Sequence, residues 1–592
     1  MEPRRRSEMN PETMWDLKPV FQSDDDWRAA LAQAEAQVAA LGDLPGTLGA
    51  SAAALKIGLD RVNAASELAE RVYGYAFLRK SEDGGDPVSQ EMEARAISMI
   101  VAMQTAAAFI GPEILSIPAD VLDAYLRDER LATYRHMIDD IVRGRAHILD
   151  QRGEQMLAML GDAAQTPSNV FDMLTEVDMR FSPVHDESGA EVPLTHGSFG
   201  VYRVSRSQAV RREAFETYFG EYQKYINTLA ALYAGNVKLN CFNANVRGHE
   251  NACAAALFGN NVPVTLYDNL IEAVHGALPA MREYIDLRRA RLGLDDINLY
   301  DLYAPIVDDV EIDMPYEKAK EIVRAALSPL GGEYQGLLDR AFNEKWIDVY
   351  ENPGKATGAY SMGVYGAHPY VLLNYAGQLD DAFTLAHELG HAMHSFFSDR
   401  QQDYANHDYS IFVAEVASTV NEVLLTRYLL SVETDRARRA MLLNHFLEGF
   451  RTTVFRQTLF AEFERKAHAL YQQGTPLTAE VLNGLFHELN ALYYDGCEIN
   501  GFCDVEWARI PHFYNAFYVY QYATGFSSAV AIADHILKTG DASDYLRFLA
   551  TGGSDYPIEE LKIAGVDLTK PDAIQSALRV FAETLHQFKE DA

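Results

Sequence analysis

His387-Glu388-Leu389-Gly390-His391 sets two imidazoles and a carboxylate within five consecutive residues. On an α-helix the positions i and i+4 share a face, so the rings of His387 and His391 can converge on one ion at the ~2.0 Å that a Zn–N bond requires. Glu388 stands beside them, where a carboxylate can take a proton from a water on that ion. The chemistry open to such a set is metal-assisted attack of water on a carbonyl carbon. A solvated helix face carries the same residue types, so the elements around the motif decide between the two.

The preceding residues Asp380 and Asp381, followed by Ala382-Phe383-Thr384-Leu385-Ala386, supply acidic groups where a helix dipole favours them and then apolar positions that pack inward. The helix is therefore expected. Gly390 costs about 1 kcal/mol of helix propensity relative to Ala, which makes sense where another helix or a substrate comes close, or where the glycine simply packs. A third ligand is still needed. His394 lies about 10.5 Å along the helix from His387, too far for one tetrahedron. The longer pattern H-E-x-x-H-x-x-G-x-x-H also fails, with His394 in place of its glycine and Phe397 in place of its third histidine.

A second apolar segment, Ile411-Phe412-Val413-Ala414-Glu415-Val416-Ala417-Ser418-Thr419-Val420-Asn421-Glu422, carries two carboxylates that burial alone would disfavour. Glu415 and Glu422 are two helical turns apart on one face. One would bind the metal while the other hydrogen-bonds a ligating imidazole, and Glu415 is the preferred ligand.

With both segments in view, HELGHAMHS followed by FVAEVAST resembles the M3 peptidases, in the oligoendopeptidase F branch more than the thimet oligopeptidase branch. The resemblance extends over roughly residues 200–585. It implies zinc, one ion per chain, with His387, His391 and Glu415 as ligands and Glu422 as an acidic neighbour. It also implies a zincin-type fold, mostly α, in which two helical lobes enclose a deep substrate channel with a small β-sheet near the active site. Such a channel would admit short unfolded oligopeptides. The activity implied is hydrolysis of their internal peptide bonds by zinc-bound water that Glu388 activates. An exopeptidase or dipeptidase on the same scaffold, and a non-hydrolytic peptide-binding protein with structural zinc, are the alternatives.

Further on, Ile510-Pro511-His512-Phe513-Tyr514-Asn515-Ala516-Phe517-Tyr518-Val519-Tyr520-Gln521-Tyr522 is dense in Phe and Tyr, most of which read as core. Tyr518 and Tyr522 fall at i and i+4, so their hydroxyls share a face and can both reach a developing oxyanion. In the M3 family a histidine and tyrosines downstream of the zinc motifs hydrogen-bond the substrate and the tetrahedral intermediate. That resemblance implies catalytic roles for His512, Tyr518 and Tyr522. The spacing from His512 is one residue longer than in thimet oligopeptidase, which keeps Tyr514 and Tyr520 as candidate substrate contacts.

Before the motif helix, Gly358-Ala359-Tyr360-Ser361-Met362-Gly363-Val364-Tyr365-Gly366 and Pro369-Tyr370-Val371-Leu372-Leu373-Asn374-Tyr375 read as two short strands. They form an ordinary hairpin, or else an edge at Gly358, Ala359 and Tyr360 to which an extended peptide adds as another strand.

The chain of 592 residues has a hydrophobic content of 48% and a charged content of 23%, values of a globular protein with ample core. Its net charge of -34 disfavours nucleic acid and anionic membrane as partners, because both are bound by clustered Lys and Arg. Arg4-Arg5-Arg6 is followed by polar residues where a signal peptide needs an apolar run. Cys241, Cys253, Cys497 and Cys503 lack the spacing of a structural zinc site and read as free thiols, so a cytoplasmic location is expected. The apolar stretch Ala96 to Gly111 is interrupted by Ser98, Gln104 and Thr105 and reads as a buried helix. Helical pattern dominates from Asp24 to Leu174 with a break at Ser81 to Pro87. Short β-like runs punctuate Met179 to Val204, and helix resumes with Ser205 or Ser207 as cap. The domain boundary is placed there, with residues 1–200 as an N-terminal helical domain and residues 201–592 as the catalytic domain.

Overall fold

Side-chain caps set the first long helices. Ser23 accepts from the Asp26 N–H, Ser51 from that of Ala54, and Asp86 from those of Val88 and Ser89, opening helices Asp24–Ala40, Ala52–Glu82 and Pro87–Ala107. The break read at Ser81 to Pro87 is the turn between the last two. The computed structural model describes residues 5–307, 310 and 312–591, and helices make up most of them. Three small sheets, none with more than three strands, complete the mostly α fold among these residues.

Two compact units form, each from separate stretches of chain: Met1–Ala146, Glu311–Leu429 and Ile532–Val566 in one, His147–Val310, Leu430–Ala531 and Asp567–Ala592 in the other. Residue 200, the expected domain boundary, lies inside the second unit. There, Val184–His185 and Glu191–Val192 pair as a short antiparallel ribbon where β-like runs were read. Ser207 caps helix Gln208–Lys224, while a shorter helix, His196–Tyr202, opens earlier on a Thr195/Ser198 capping box. Phe455, Leu459 and Phe463, spaced by four, are all buried in this unit's core.

In the first unit, the core joins the three N-terminal helices to a sheet. Trp27 Nε1 donates to the Val72 carbonyl, and Trp15, Tyr75, Tyr370 and Leu372 are part of the same buried cluster. The sheet has Tyr370–Leu372 at its centre, antiparallel to Tyr360–Met362 and parallel to Ile347–Asp348. The first two are the strands read from sequence. The third is only two residues long, below what alternation can reveal.

The expectation of a buried helix over Ala96–Gly111 is corrected. Helix Pro87–Ala107 buries one face, through Met92, Ala96, Met99 and Met103, and leaves Ile97 45% and Val101 55% exposed. Helices Ala52–Glu82 and Asp24–Ala40 pack against the buried face. The span Pro87–Ser116 has the length and hydropathy of a bilayer crossing, and 17% of its apolar window is buried.

The motif residues lie on helix Leu379–Gln401, whose N-terminus is closed by Asp381 accepting from the Gln378 and Ala376 N–H groups. Helix Ile411–Val432 packs directly against it at Gly390. A Cβ on residue 390 would sit 2.5 Å from Ser418 Cα and 2.6 Å from the Ala417 carbonyl oxygen. The close approach allowed by this glycine is therefore to another helix. Buried Asn421 adds a second tie, donating to the Ala386 carbonyl at 2.9 Å and accepting from Tyr334 Oη at 3.0 Å.

The loop between these helices is pinned by charge. His407 Nδ1 lies 2.9 Å from Asp399 and its Nε2 3.6 Å from Glu70, while Tyr404 Oη donates to Glu70 at 2.7 Å. Burial opposes protonation of His407, but the two carboxylates outweigh it and its pKa is carried up to about 9.

Two predictions follow from this packing. In an open helix Gly→Ala gains about 1 kcal/mol, but overpacking against backbone makes Gly390→Ala destabilising here by roughly 2 kcal/mol. It should appear as a lower thermal midpoint. The His407 contribution is fully present below its unfolded pKa of about 6.5 and is lost as pH rises through the folded value. Melts from pH 6 to 9 should therefore show wild type losing its advantage over His407→Gln.

Candidate active site

Three ligand-type atoms meet where the two helices touch. His387 Nε2 and His391 Nε2 are 3.2 Å apart, and Glu415 Oε2 lies 3.5 Å from the first and 3.6 Å from the second. Donors held at 2.0–2.1 Å from a tetrahedral ion stand about 3.3–3.4 Å from one another, so the triangle has the size of three corners of such a site. Two nitrogens and a carboxylate oxygen also match the donor chemistry of a catalytic zinc with one position open. Among the described residues, His387, His391 and Glu415 form the one cluster of metal-ligating side chains with this proximity.

The neighbours set the state of each group. Glu422 Oε1 is 2.6 Å from His387 Nδ1, which fixes the proton on Nδ1 and turns the Nε2 lone pair to the triangle. Burial works against a charged His387, yet the hydrogen bond to Glu422 and the surrounding carboxylates raise its pKa overall. Glu415 is held down at about 2, first by its hydrogen bond with His391, and Ser418 Oγ donates to it at 3.1 Å. Glu388 is 7% exposed; burial raises its pKa while His387 and His391 hold it back. That is the environment of a base that can give its proton up again.

His394, rejected as a ligand on spacing, is fully buried, stacked 3.6 Å from the Tyr409 ring, and its pKa is lowered to about 3 by burial. Asn421 and Ser418 had escaped the reading. A polar residue inside an apolar helical run, one position before Glu422, was the available signal.

The sheet next to the motif helix leaves Tyr360–Met362 at an edge, and no other strand pairs with its outer side among the described residues. Gly358, at φ +78°, turns the chain into this strand. Asn374 Nδ2 holds that turn by donating to the Ala356 and Gly358 carbonyls at 2.9 and 2.8 Å. A cavity of about 250 Å³ opens here, lined by Gly358, Ala359, Asn374, Asp381 and Thr384 among others. Thr384 is one helical turn before His387 and Glu388, so the cavity borders the same helix face. Tyr360 offers its backbone to this edge while its ring packs 5.5 Å from Phe77.

In the second unit, His512, Tyr518 and Tyr522 cluster. His512 and Tyr518 rings are stacked at 6.2 Å, Tyr522 stands edge-on to both at 5.9 and 5.5 Å, and Tyr522 Oη is 3.4 Å from His512 Nε2. Burial lowers the His512 pKa, which favours the neutral ring. The other two tyrosines point elsewhere. Tyr520 is 1% exposed and packs on Tyr267 at 5.2 Å, so core packing has taken this candidate substrate contact. Tyr514 is half-buried against Phe171 at 4.6 Å. Between the 3-10 turn Pro511–Tyr514 and helix Tyr520–Thr539, Phe517 adopts φ +57°, a left-handed conformation that costs a non-glycine residue about 1–2 kcal/mol.

A histidine pair on one helix face, a carboxylate from a second helix and a buried glutamate beside them, in a mostly helical chain, define a metallopeptidase centre. Comparison with known proteins makes the assignment specific. Residues 201–580 match the family described as Peptidase family M3, and residues 113–181 match Oligopeptidase F. The sequence is 42% identical to Oligopeptidase PepF of Bacillus subtilis (strain 168), covering 99% of this chain and 88% of that protein. It is 38% identical to an oligoendopeptidase F homolog of Lactococcus lactis, covering 99% and 98%. The crystal structure of oligoendopeptidase-F from Enterococcus faecium superposes with a TM-score of 0.73 at 35% identity, covering 96% of this chain and 99% of that one. The chain belongs to peptidase family M3 and is a metallopeptidase.

Removing the carboxylate that orients His387 should weaken metal binding without touching a ligand. Glu422→Ala is expected to lower affinity about 10- to 100-fold, measured by competition with a chromogenic chelator, with the thermal midpoint of the metal-free protein little changed.

Proposed function

We propose that this enzyme is a zinc endopeptidase that hydrolyses internal bonds of short, unfolded oligopeptides. The observation that carries the reading is the triangle of His387, His391 and Glu415 with Glu388 buried beside it. Relatives named oligoendopeptidase and oligopeptidase support the substrate class. One zinc per chain fits the three donors. When bound, it supplies Lewis acidity, bringing the pKa of a coordinated water to about 7 and polarising a carbonyl.

The residues of the chain then divide the work. Glu388 accepts the proton of the attacking water and delivers it to the leaving amine, a cycle that its balanced environment favours. Glu422 keeps His387 in the ligating tautomer. His512, Tyr518 and Tyr522 donate hydrogen bonds to the substrate carbonyl and to the oxyanion that develops from it, a role supported by their mutual clustering and by the motif resemblance. The edge at Gly358, Ala359 and Tyr360 pairs with the substrate backbone, which gives affinity with little preference for side chains. A cytoplasmic location completes the reading, supported by four free thiols.

Cleavage of an internally quenched oligopeptide, with products located by mass spectrometry, tests the proposal. Wild type should cut at internal bonds, chelation should abolish the activity, and Glu388→Gln should lose about 100- to 10,000-fold in kcat while still binding one zinc. Release of terminal residues alone, or an active Glu388→Gln, would overturn it.

A further inference from the structure

Glu464 is a buried carboxyl group that the reaction outlined above does not use. It lies on helix Arg456–Gln472, is fully buried, and no cation pairs with it in the structure described. Its Oε1 accepts from the Phe517 N–H at 2.7 Å, while Oε2 is buried without a hydrogen-bond partner. Phe517 is one of only three non-glycine residues with positive φ among those described. Its ring is 3% exposed and packs 4.7 Å from His468, one turn along the same helix from Glu464, and 5.9 Å from Tyr267. His468 is itself fixed, with Nδ1 2.8 Å from the Glu464 carbonyl and Nε2 3.2 Å from Asn240 Nδ2. The left-handed turn is thus gripped at its amide by Glu464 and at its ring by His468 and Tyr267. The next residue in the chain is Tyr518, stacked on His512.

We infer that Glu464 is a positioning residue, whose hydrogen bond to the Phe517 amide holds the left-handed turn that presents Tyr518 to His512 and Tyr522. An unfavourable backbone conformation persists only where its surroundings over-determine it, and here they do so directly before a proposed substrate-contacting side chain. Burial pushes the Glu464 carboxyl well above the usual carboxylate range, which favours the neutral acid, whose carbonyl oxygen serves as the acceptor as a carboxylate oxygen would. A glutamine offers the same oxygen, and a leucine fills similar space without it.

The inference rests on the proposed roles of His512 and Tyr518, and the experiment separates the two claims. Steady-state kinetics on the quenched peptide would be measured for Glu464→Gln, Glu464→Leu and Tyr518→Phe, each loaded with zinc. Glu464→Leu is expected to lose about 10- to 100-fold in kcat, the scale of a small misplacement near the chemistry, with KM within about twofold and full metal content. Glu464→Gln should restore most of the rate. A Glu464→Leu enzyme with normal kcat, or a Glu464→Gln enzyme as impaired as the leucine variant, overturns the inference. A fully active Tyr518→Phe removes instead the hydroxyl role on which it rests.

Should Glu464→Leu fail to fold, Phe517→Leu and Phe517→Val ask the same question. Both keep an apolar side chain, but a β-branched residue resists positive φ far more strongly. A lower kcat in the valine variant is expected, and equal rates would overturn the turn's role.

Discussion

Contact between two helix backbones at Gly390 is the constraint on which the proposed metal site depends. His387 and His391 come from one helix and need only its pitch to converge. Glu415 comes from another, and its carboxylate reaches them because the second helix approaches to where residue 390 can have no side chain. A wider spacing would move Glu415 outward by about the thickness of a methyl group, beyond the ~0.2 Å tolerance of metal–ligand distances. Asn421 reinforces the register by bonding the carbonyl of Ala386, the residue before His387. The two helices thus form one rigid piece in which the ligand geometry is set before any ion arrives.

Electrostatics at this piece are graded. Glu422 carries the orientation of His387, Glu415 is kept ionised by His391, and the pKa of Glu388 is raised by burial against the opposing pull of two imidazoles. Three carboxylates within two helices are therefore held in three different environments, set by partner and by exposure, which suits the three tasks proposed for them. The neutral, buried His394 on the same helix shows the contrast, since a ring turned into an aromatic core takes no part.

Much of this was legible in the chain because it is local. The i, i+4 histidines, the acidic helix start and the pair of carboxylates two turns apart are periodic features, and they appear where periodicity puts them. The two strands before the motif helix were legible for the same reason, as were the break at Ser81 to Pro87 and the cap at Ser207. What local pattern could not carry is which face a neighbour covers. The apolar stretch Ala96 to Gly111 reads as a buried helix, but helix Pro87–Ala107 has one face uncovered, and Tyr520, a candidate substrate contact, is held by core packing. Asn421 likewise becomes meaningful only once helix Leu379–Gln401 lies beside it. The discontinuous make-up of the two units is a property of tertiary packing, with no signature in any single window of sequence.

That make-up bears on the order of events during synthesis. The far end of the motif helix is fastened late: Gln402 donates to the Ala550 carbonyl, and the Gly553 N–H donates to that of Asn406. The first unit is completed only when Ile532–Val566 has left the ribosome, after nearly all of the second unit's chain. Contacts spanning so much sequence form slowly, and domains generally fold as the chain supplies them. A growing chain would thus hold helices Leu379–Gln401 and Ile411–Val432 without their final support until Ile532–Val566 has been made, so the proposed hydrolytic centre is completed well after its own residues are synthesised.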